Sequence, residues 1–173
     1  LANRTRIVDN IIAGIKQVCG SSFSLALRLS PTRFGVQIEE IVAYYERLCA
    51  ARKLDFIDMS LWDVFQEVDE GTFQGQRLVD IFARLERHET KLTVAGKINT
   101  GEDVKNVLDA GVDFVALGRA GILHHDWPQK FAENQDFCSI QTPVSRAHLA
   151  AEGLGPKFVD YMSTWAGFVE QGA

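Results

Sequence analysis

Short apolar runs alternate along this chain with stretches in which apolar residues recur every three or four positions. The runs read as buried strands and the spaced stretches as amphipathic helices, so the alternation predicts successive βα units around a parallel sheet. A helix comes first, with Ile7, Val8, Ile11, Ile12, Ile15 and Val18 at helical spacing, Asn3 placed to cap it and Gly20 closing it. Ser24 to Leu29 reads as the first strand, apolar except for Arg28, and Pro31 to Gly35 as the loop after it. Residues 36–53 carry Ile38, Ile41, Val42, Tyr45, Leu48 and Cys49 as the inward stripe of a helix. The second strand is Phe56 to Ser60, and Arg77 to His88 is its helix, with Leu78, Ile81, Phe82 and Leu85 facing inward. Leu92 to Ala95 and Phe114 to Leu117 form the third and fourth strands, with a crossover helix between them that opens at Thr100. A short helix over residues 120–125 and a longer one from Trp127 to about Asn134 follow.

The last two strands both end in a glycine followed by a cation, Gly96 with Lys97 and Gly118 with Arg119. Parallel strands joined by one helix point their carboxyl ends the same way, which predicts the two glycines side by side. A glycine lets a ligand approach the backbone, so two such ends can turn N–H groups and positive charge on one anion, a phosphate above all. Singly, each glycine reads as an ordinary turn and each cation as solvated; the repetition favours phosphate. Arg28 in an apolar strand is costly unless an anion meets it, and the residues alone favour a structural salt bridge to a neighbouring Asp or Glu.

Residues 61–76 are too long and irregular for an ordinary βα connection. Trp62, Phe65 and Phe73 either line a substrate pocket there or anchor the loop to a rim, and the residues do not choose. Ser60, His88, His124 and His125 read as caps or packing groups, since no serine, cysteine or carboxylate pattern partners the two adjacent histidines. No catalytic residue is identified.

A length of 173 residues fits one domain but is short for a complete (β/α)8 barrel of about 250 residues. Counting strands gives four, with two unpaired sheet edges, so the segment is expected to associate with a missing N-terminal half barrel or with itself, as a homo-oligomer. From residue 135 the character changes to a tail with short helices near 144–151 and 156–167, which sets expected boundaries of 1–134 for the half barrel and 135–173 for a helical extension. Phe158, Val159, Met162, Trp165 and Phe168 recur at helical spacing in that tail and suggest an interface. A net charge of −5 with no basic run argues against a nucleic-acid partner. The apolar stretches stop short of the roughly 20 residues a membrane helix needs, and no signal peptide is visible at the start, where a fragment would have lost one in any case. Three widely spaced cysteines suit reduced thiols in a cytoplasmic protein, and no metal site is expected.

The stretches AGKINT at 95–100 and DFVALGRAGILHHDWPQK at 113–130, with ALRLSP at 26–31 and NRTRIVDNII at 3–12 upstream in the same order, resemble the Old Yellow Enzyme family. These are FMN-dependent NADH:flavin oxidoreductases, and the resemblance runs from about Asn3 to Lys130, over strands five to eight of that family's (β/α)8 barrel. It implies FMN as cofactor, NADH or NADPH as reductant, and a small molecule with an activated alkene as substrate. It also implies that Arg28 lies against the N1 and C2 carbonyl edge of the flavin, and that Gly96, Lys97, Gly118 and Arg119 hold the FMN phosphate. The family's proton donor and substrate-gripping residues come from earlier strands, so none is carried over, and the segment alone is expected to be inactive. Two other readings stay open: a phosphate-binding barrel of lyase, isomerase or synthase type, and a non-catalytic half-barrel assembly module.

Overall fold

The computed structural model describes residues 2–31 and 35–171. Residues 32–34 of the expected Pro31–Gly35 loop, and residues 172 and 173 of the tail, lie outside that description. The elements run α1 (Ala2–Cys19), β1 (Ala26–Leu29), α2 (Ile38–Ala50), β2 (Phe56–Ser60), α3 (Leu78–Arg84), β3 (Lys91–Ala95), α4 (Gly101–Asp109), β4 (Phe114–Val115), α5 (Arg119–Leu123), α6 (Trp127–Glu133), α7 (Arg146–Ala151) and α8 (Pro156–Ser163). They pack as two compact units, one of residues 1–96 and 107–116, the other of residues 97–106 and 117–173.

In the first unit the strands form one parallel sheet in the order β1-β2-β3-β4. Because side chains alternate along a strand, the register sorts them onto two faces. Ile57, Met59, Leu92 and Val94 lie on one face and are fully buried. With Tyr45, Leu48 and Phe82 they supply the core of this unit, and the Tyr45 and Phe82 rings meet edge to face at 5.6 Å. The other face carries Arg28, Asp58, Thr93 and Phe114 in a single row across the four strands.

Several elements are shorter than their patterns predict. β1 begins at Ala26; just before it Leu25 gives its N–H to the Asp55 carboxylate (2.7 Å) while its carbonyl accepts the Asp55 N–H (2.9 Å). α3 stops at Arg84, where Leu85 turns extended. Arg87 then clasps Asp113 and the Gly111 carbonyl at 2.9 Å each, and His88 takes a positive φ of 52°. β4 keeps two residues, with Ala116 still donating to the Val94 carbonyl (2.9 Å).

α1 also departs from its pattern. It turns Thr5, Asp9 and Ile12 towards α2, where Arg47 donates to Thr5 Oγ1 (2.8 Å) and Asp9 (2.9 Å) and Tyr44 donates to Asp9 (3.1 Å). Ile7, Ile11 and Val18, expected in the buried stripe, are exposed. A polar clasp, rather than the apolar period alone, sets the rotation of this helix.

In the second unit α5 and the tail share a core of Leu123, Val144, Leu149, Val159, Met162, Phe168 and Val169. Ser145 caps α7 by accepting the His148 N–H (3.1 Å). α8 buries Val159 and Met162 but exposes Phe158 and Tyr161, and with the exposed Trp165 just past the helix their rings follow one another at 5.8 Å. The start of α4 lies here too, closed by a reciprocal cap: Thr100 Oγ1 accepts the Asp103 N–H (3.0 Å) while Asp103 accepts the N–H groups of Asn99 and Thr100 (2.9 Å each).

Candidate functional site

Arg28 was expected inside a buried strand. Among the described strands β1 is an edge of the sheet, and the Arg28 side chain is 59% exposed. Its register neighbour on β2 is Asp58, whose carboxylate lies 3.4 Å from the guanidinium, and Ser60 accepts a second bond at 3.2 Å. Burial pushes the Asp58 carboxyl above its ordinary pKa, and Arg28 pulls it back. Asp58 Oδ1 and, one strand further, Thr93 Oγ1 are buried with no hydrogen-bond partner. Asp58 and Thr93 were not singled out from the sequence. Strand alternation already put Phe56, Asp58 and Ser60 on one side; pairing that side with Arg28 needed the register.

Gly96 admits a close approach by backbone. Its φ is +152°, and a Cβ there would stand 2.7 Å from the Trp62 carbonyl carbon and 2.8 Å from the Asp63 nitrogen. What approaches this glycine is the chain's own loop. The loop is tied to the strand tip by Leu61 N–H to the Ala95 carbonyl (2.8 Å) and Val64 N–H to the Gly96 carbonyl (3.2 Å). Leu61 and Val64 are fully buried and anchor residues 61–76. Among the aromatic residues considered for that role, Phe65 is half-buried under the Arg77 guanidinium and Trp62 is exposed.

Lys97, Gly118 and Arg119 belong to the second unit. Lys97 has a φ of 51° and its carbonyl accepts from the Asn99 side chain (3.0 Å). Gly118 precedes α5, its carbonyl accepting the Gly121 and Ile122 N–H groups, and a Cβ on it would meet nothing within 4 Å. Arg119 is exposed beside it.

The two histidines part company. His124 is buried, with its Nε2 accepting the Ile140 N–H (3.0 Å) and its ring edge-on to Phe137 and His148. His125 is exposed and binds the Glu152 carboxylate through both its backbone N–H (2.8 Å) and Nδ1 (2.7 Å). Among the described residues, His124, Asp126 and Glu152 bring metal-capable atoms within 4.8 Å of one another. They are already engaged as a hydrogen-bond network, since Lys130 holds Asp126 and His125 holds Glu152. With Nε2 accepting a backbone N–H, neutral His124 carries its proton on Nδ1, which removes that lone pair from any metal.

Burial holds the His124 pKa below its ordinary 6.5. The folded state then binds fewer protons than the unfolded one, so stability is full above about pH 6.5 and falls as the pH drops towards the lowered value. The melting temperature of the wild type is expected to fall more steeply between pH 7 and 5 than that of His124→Gln. Parallel slopes would show that His124 carries no such penalty.

No family model matches the chain. It is 24% identical over 139 residues to the probable NADH-dependent flavin oxidoreductase YqiG of Bacillus subtilis strain 168, matching 79% of this chain and 37% of that protein. It is 28% identical over 140 residues to the imidazole glycerol phosphate synthase subunit HisF of Geobacillus thermodenitrificans strain NG80-2, matching 80% of this chain and 47% of that one. Among solved structures it is similar to the Old Yellow Enzyme homologue of Zymomonas mobilis, with a TM-score of 0.61 and 22% identity over 92% of this chain and 43% of that one. It is also similar to the N189A mutant of morphinone reductase in complex with tetrahydroNAD, with a TM-score of 0.56 and 22% identity over 79% of this chain and 36% of that one. The chain thus resembles flavin oxidoreductases of the Old Yellow Enzyme kind and has the fold of half a (β/α)8 barrel, and it spans less than half the length of each of these proteins.

Proposed function

We propose that the chain is the flavin-binding half of an FMN-dependent NAD(P)H oxidoreductase that acts on a small molecule with an activated alkene. The observation that carries the reading is Arg28: an exposed guanidinium on the polar face of the sheet, at the position where the resemblance puts the flavin ring. Within each unit, taken by itself, the residues suit one part of FMN. A guanidinium has five N–H donors, and pairing with Asp58 and Ser60 leaves donors for the acceptor edge of the ring. Gly118 keeps open space where a side chain would stand, and Lys97 and Arg119 add charge for the phosphate.

FMN, when bound, supplies hydride transfer from reduced nicotinamide to the alkene. Arg28 orients the ring and offers positive charge to it, and Lys97, Gly118 and Arg119 bind the phosphate. Gly96, also assigned to the phosphate by the resemblance, ends the strand that leads into Lys97, and its backbone admits the loop at Trp62 and Asp63. Residues 1–134 carry these functions and 135–173 form a helical extension. The open edges of β1 and β4 are covered by a companion half barrel or by a second copy, and the exposed aromatic rings of α8 favour self-association. No described helix is long and apolar enough to cross a membrane, and with free cysteines at 19, 49 and 138 we assign the protein to the cytoplasm.

The purified protein is expected to show a flavin band at about 450 nm, or to gain one on adding FMN. Its absence under both conditions would overturn the reading in favour of a phosphate-binding barrel of synthase or lyase type, to which the likeness to HisF lends support. Gly118→Ala separates ligand binding from folding. With nothing within 4 Å of the new methyl, stability should stay within about 0.5 kcal/mol of wild type. The FMN dissociation constant should rise several-fold as the methyl blocks the phosphate, and unchanged affinity would remove Gly118 from the site.

A further inference from the structure

The cation of the polar row is the end of a longer arrangement. Arg28, Asp58 and Thr93 are register partners on three successive strands, so their side chains stand next to one another on one face. Arg28 is a long side chain on an edge strand. Asp58 sits on a central strand between the fully buried Ile57 and Met59, which fix its backbone. Only 16% of the Asp58 side chain is exposed, one of its oxygens has no partner, and Thr93, 2% exposed, has an unpartnered hydroxyl beside it.

Burying a carboxylate with an unsatisfied oxygen costs stability, and an apolar residue at that position would avoid the cost. The arrangement makes sense if the carboxylate serves its neighbour. Asp58 and Ser60, two residues apart on one strand face, approach the two terminal nitrogens of Arg28 and so define the guanidinium's position from two points. The nearby cation on the same face, Lys91, is committed to Asp113 at 2.9 Å and does not compete for Asp58.

We propose that Asp58 is a positioning residue for flavin binding, holding the Arg28 guanidinium across the β1–β2 register in the place from which it meets the ring. This rests on the flavin reading above. Two roles for Asp58 predict opposite signs. As an anchor, its loss lets Arg28 swing into solvent, and the flavin loses a positive neighbour. As a plain counter-charge, its loss leaves Arg28 in place and more strongly positive.

The experiment measures the midpoint potential of bound FMN and its dissociation constant for wild type, Arg28→Ala, Asp58→Ala, Asp58→Asn and the double alanine variant, with thermal melting to check folding. Asp58→Ala should shift the potential in the same negative direction as Arg28→Ala. It should also weaken FMN about tenfold, as expected for loss of one charge-assisted contact. The double variant should be no worse than Arg28→Ala alone, since Asp58 acts through Arg28. Asp58→Asn, which keeps the volume and one acceptor oxygen, should fold normally and shift in the same direction. A positive shift, or no shift, in the Asp58 variants while Arg28→Ala moves both quantities would overturn the proposal. If Arg28→Ala itself leaves both unchanged, the placement of Arg28 at the flavin fails, and this inference fails with it.

Discussion

Gly96→Ala is expected to lower stability by about 3 kcal/mol, combining overpacking with the strain of a side chain at positive φ. The new methyl would stand 2.7–2.9 Å from three backbone atoms of Trp62 and Asp63. Backbone cannot rotate aside as a side chain can. Gly71 makes the contrast: a Cβ there also meets an atom at 2.7 Å, but it is the carboxylate oxygen of Glu39, at the end of a flexible side chain. At Gly96 the strand tip and the loop must separate, which strains the bonds from Leu61 to Ala95 and from Val64 to Gly96. Urea denaturation checks this through the midpoint at unchanged slope, and a midpoint equal to wild type would show that the loop yields freely. The loss appears without any ligand, so it is distinct from the affinity effect expected at Gly118.

Arg119→Ala is expected to weaken FMN binding by about ten- to a hundredfold, the equivalent of roughly 1.5–3 kcal/mol for a charge-assisted contact. Arg119 is exposed at the first position of α5, directly after the glycine whose approach is open. The prediction is sharpened by His124→Ala, five residues on. That imidazole is spent on the Ile140 N–H and on packing against Phe137, so its removal should cost stability and leave the affinity for FMN nearly unchanged. Fluorescence titration at fixed ionic strength compares the two. Equal dissociation constants would sink the assignment of the phosphate to the Gly118–Arg119 turn, and an effect of Arg119→Ala that vanishes in high salt would reduce it to long-range attraction.

Much of this was written in local patterns. The four strands and the order of strand and helix follow from apolar runs alternating with helical spacing, because each element must bury one face whatever surrounds it. The capping of α4 by Thr100 and of α7 by Ser145 depends on residues three apart and was within reach of the sequence. The exposure of Ile7 and Val18 was not legible, since an apolar period gives a helix a face but not the neighbour it turns to. A polar clasp from Arg47 to Thr5 and Asp9, some forty residues away in the chain, fixes that rotation.

The same division runs through the site. By itself the sequence determined the residue types: a lone arginine in an apolar strand, and glycines followed by cations at strand ends. Those are properties of a few consecutive residues. Only the tertiary structure decided that Asp58 and Thr93 stand in the row of Arg28, and that Gly96 admits the backbone of Trp62 and Asp63. Register and loop return join residues some thirty positions apart, and the physical reason is that hydrogen-bond pairing between strands, which no local pattern encodes, chooses which side chains become neighbours.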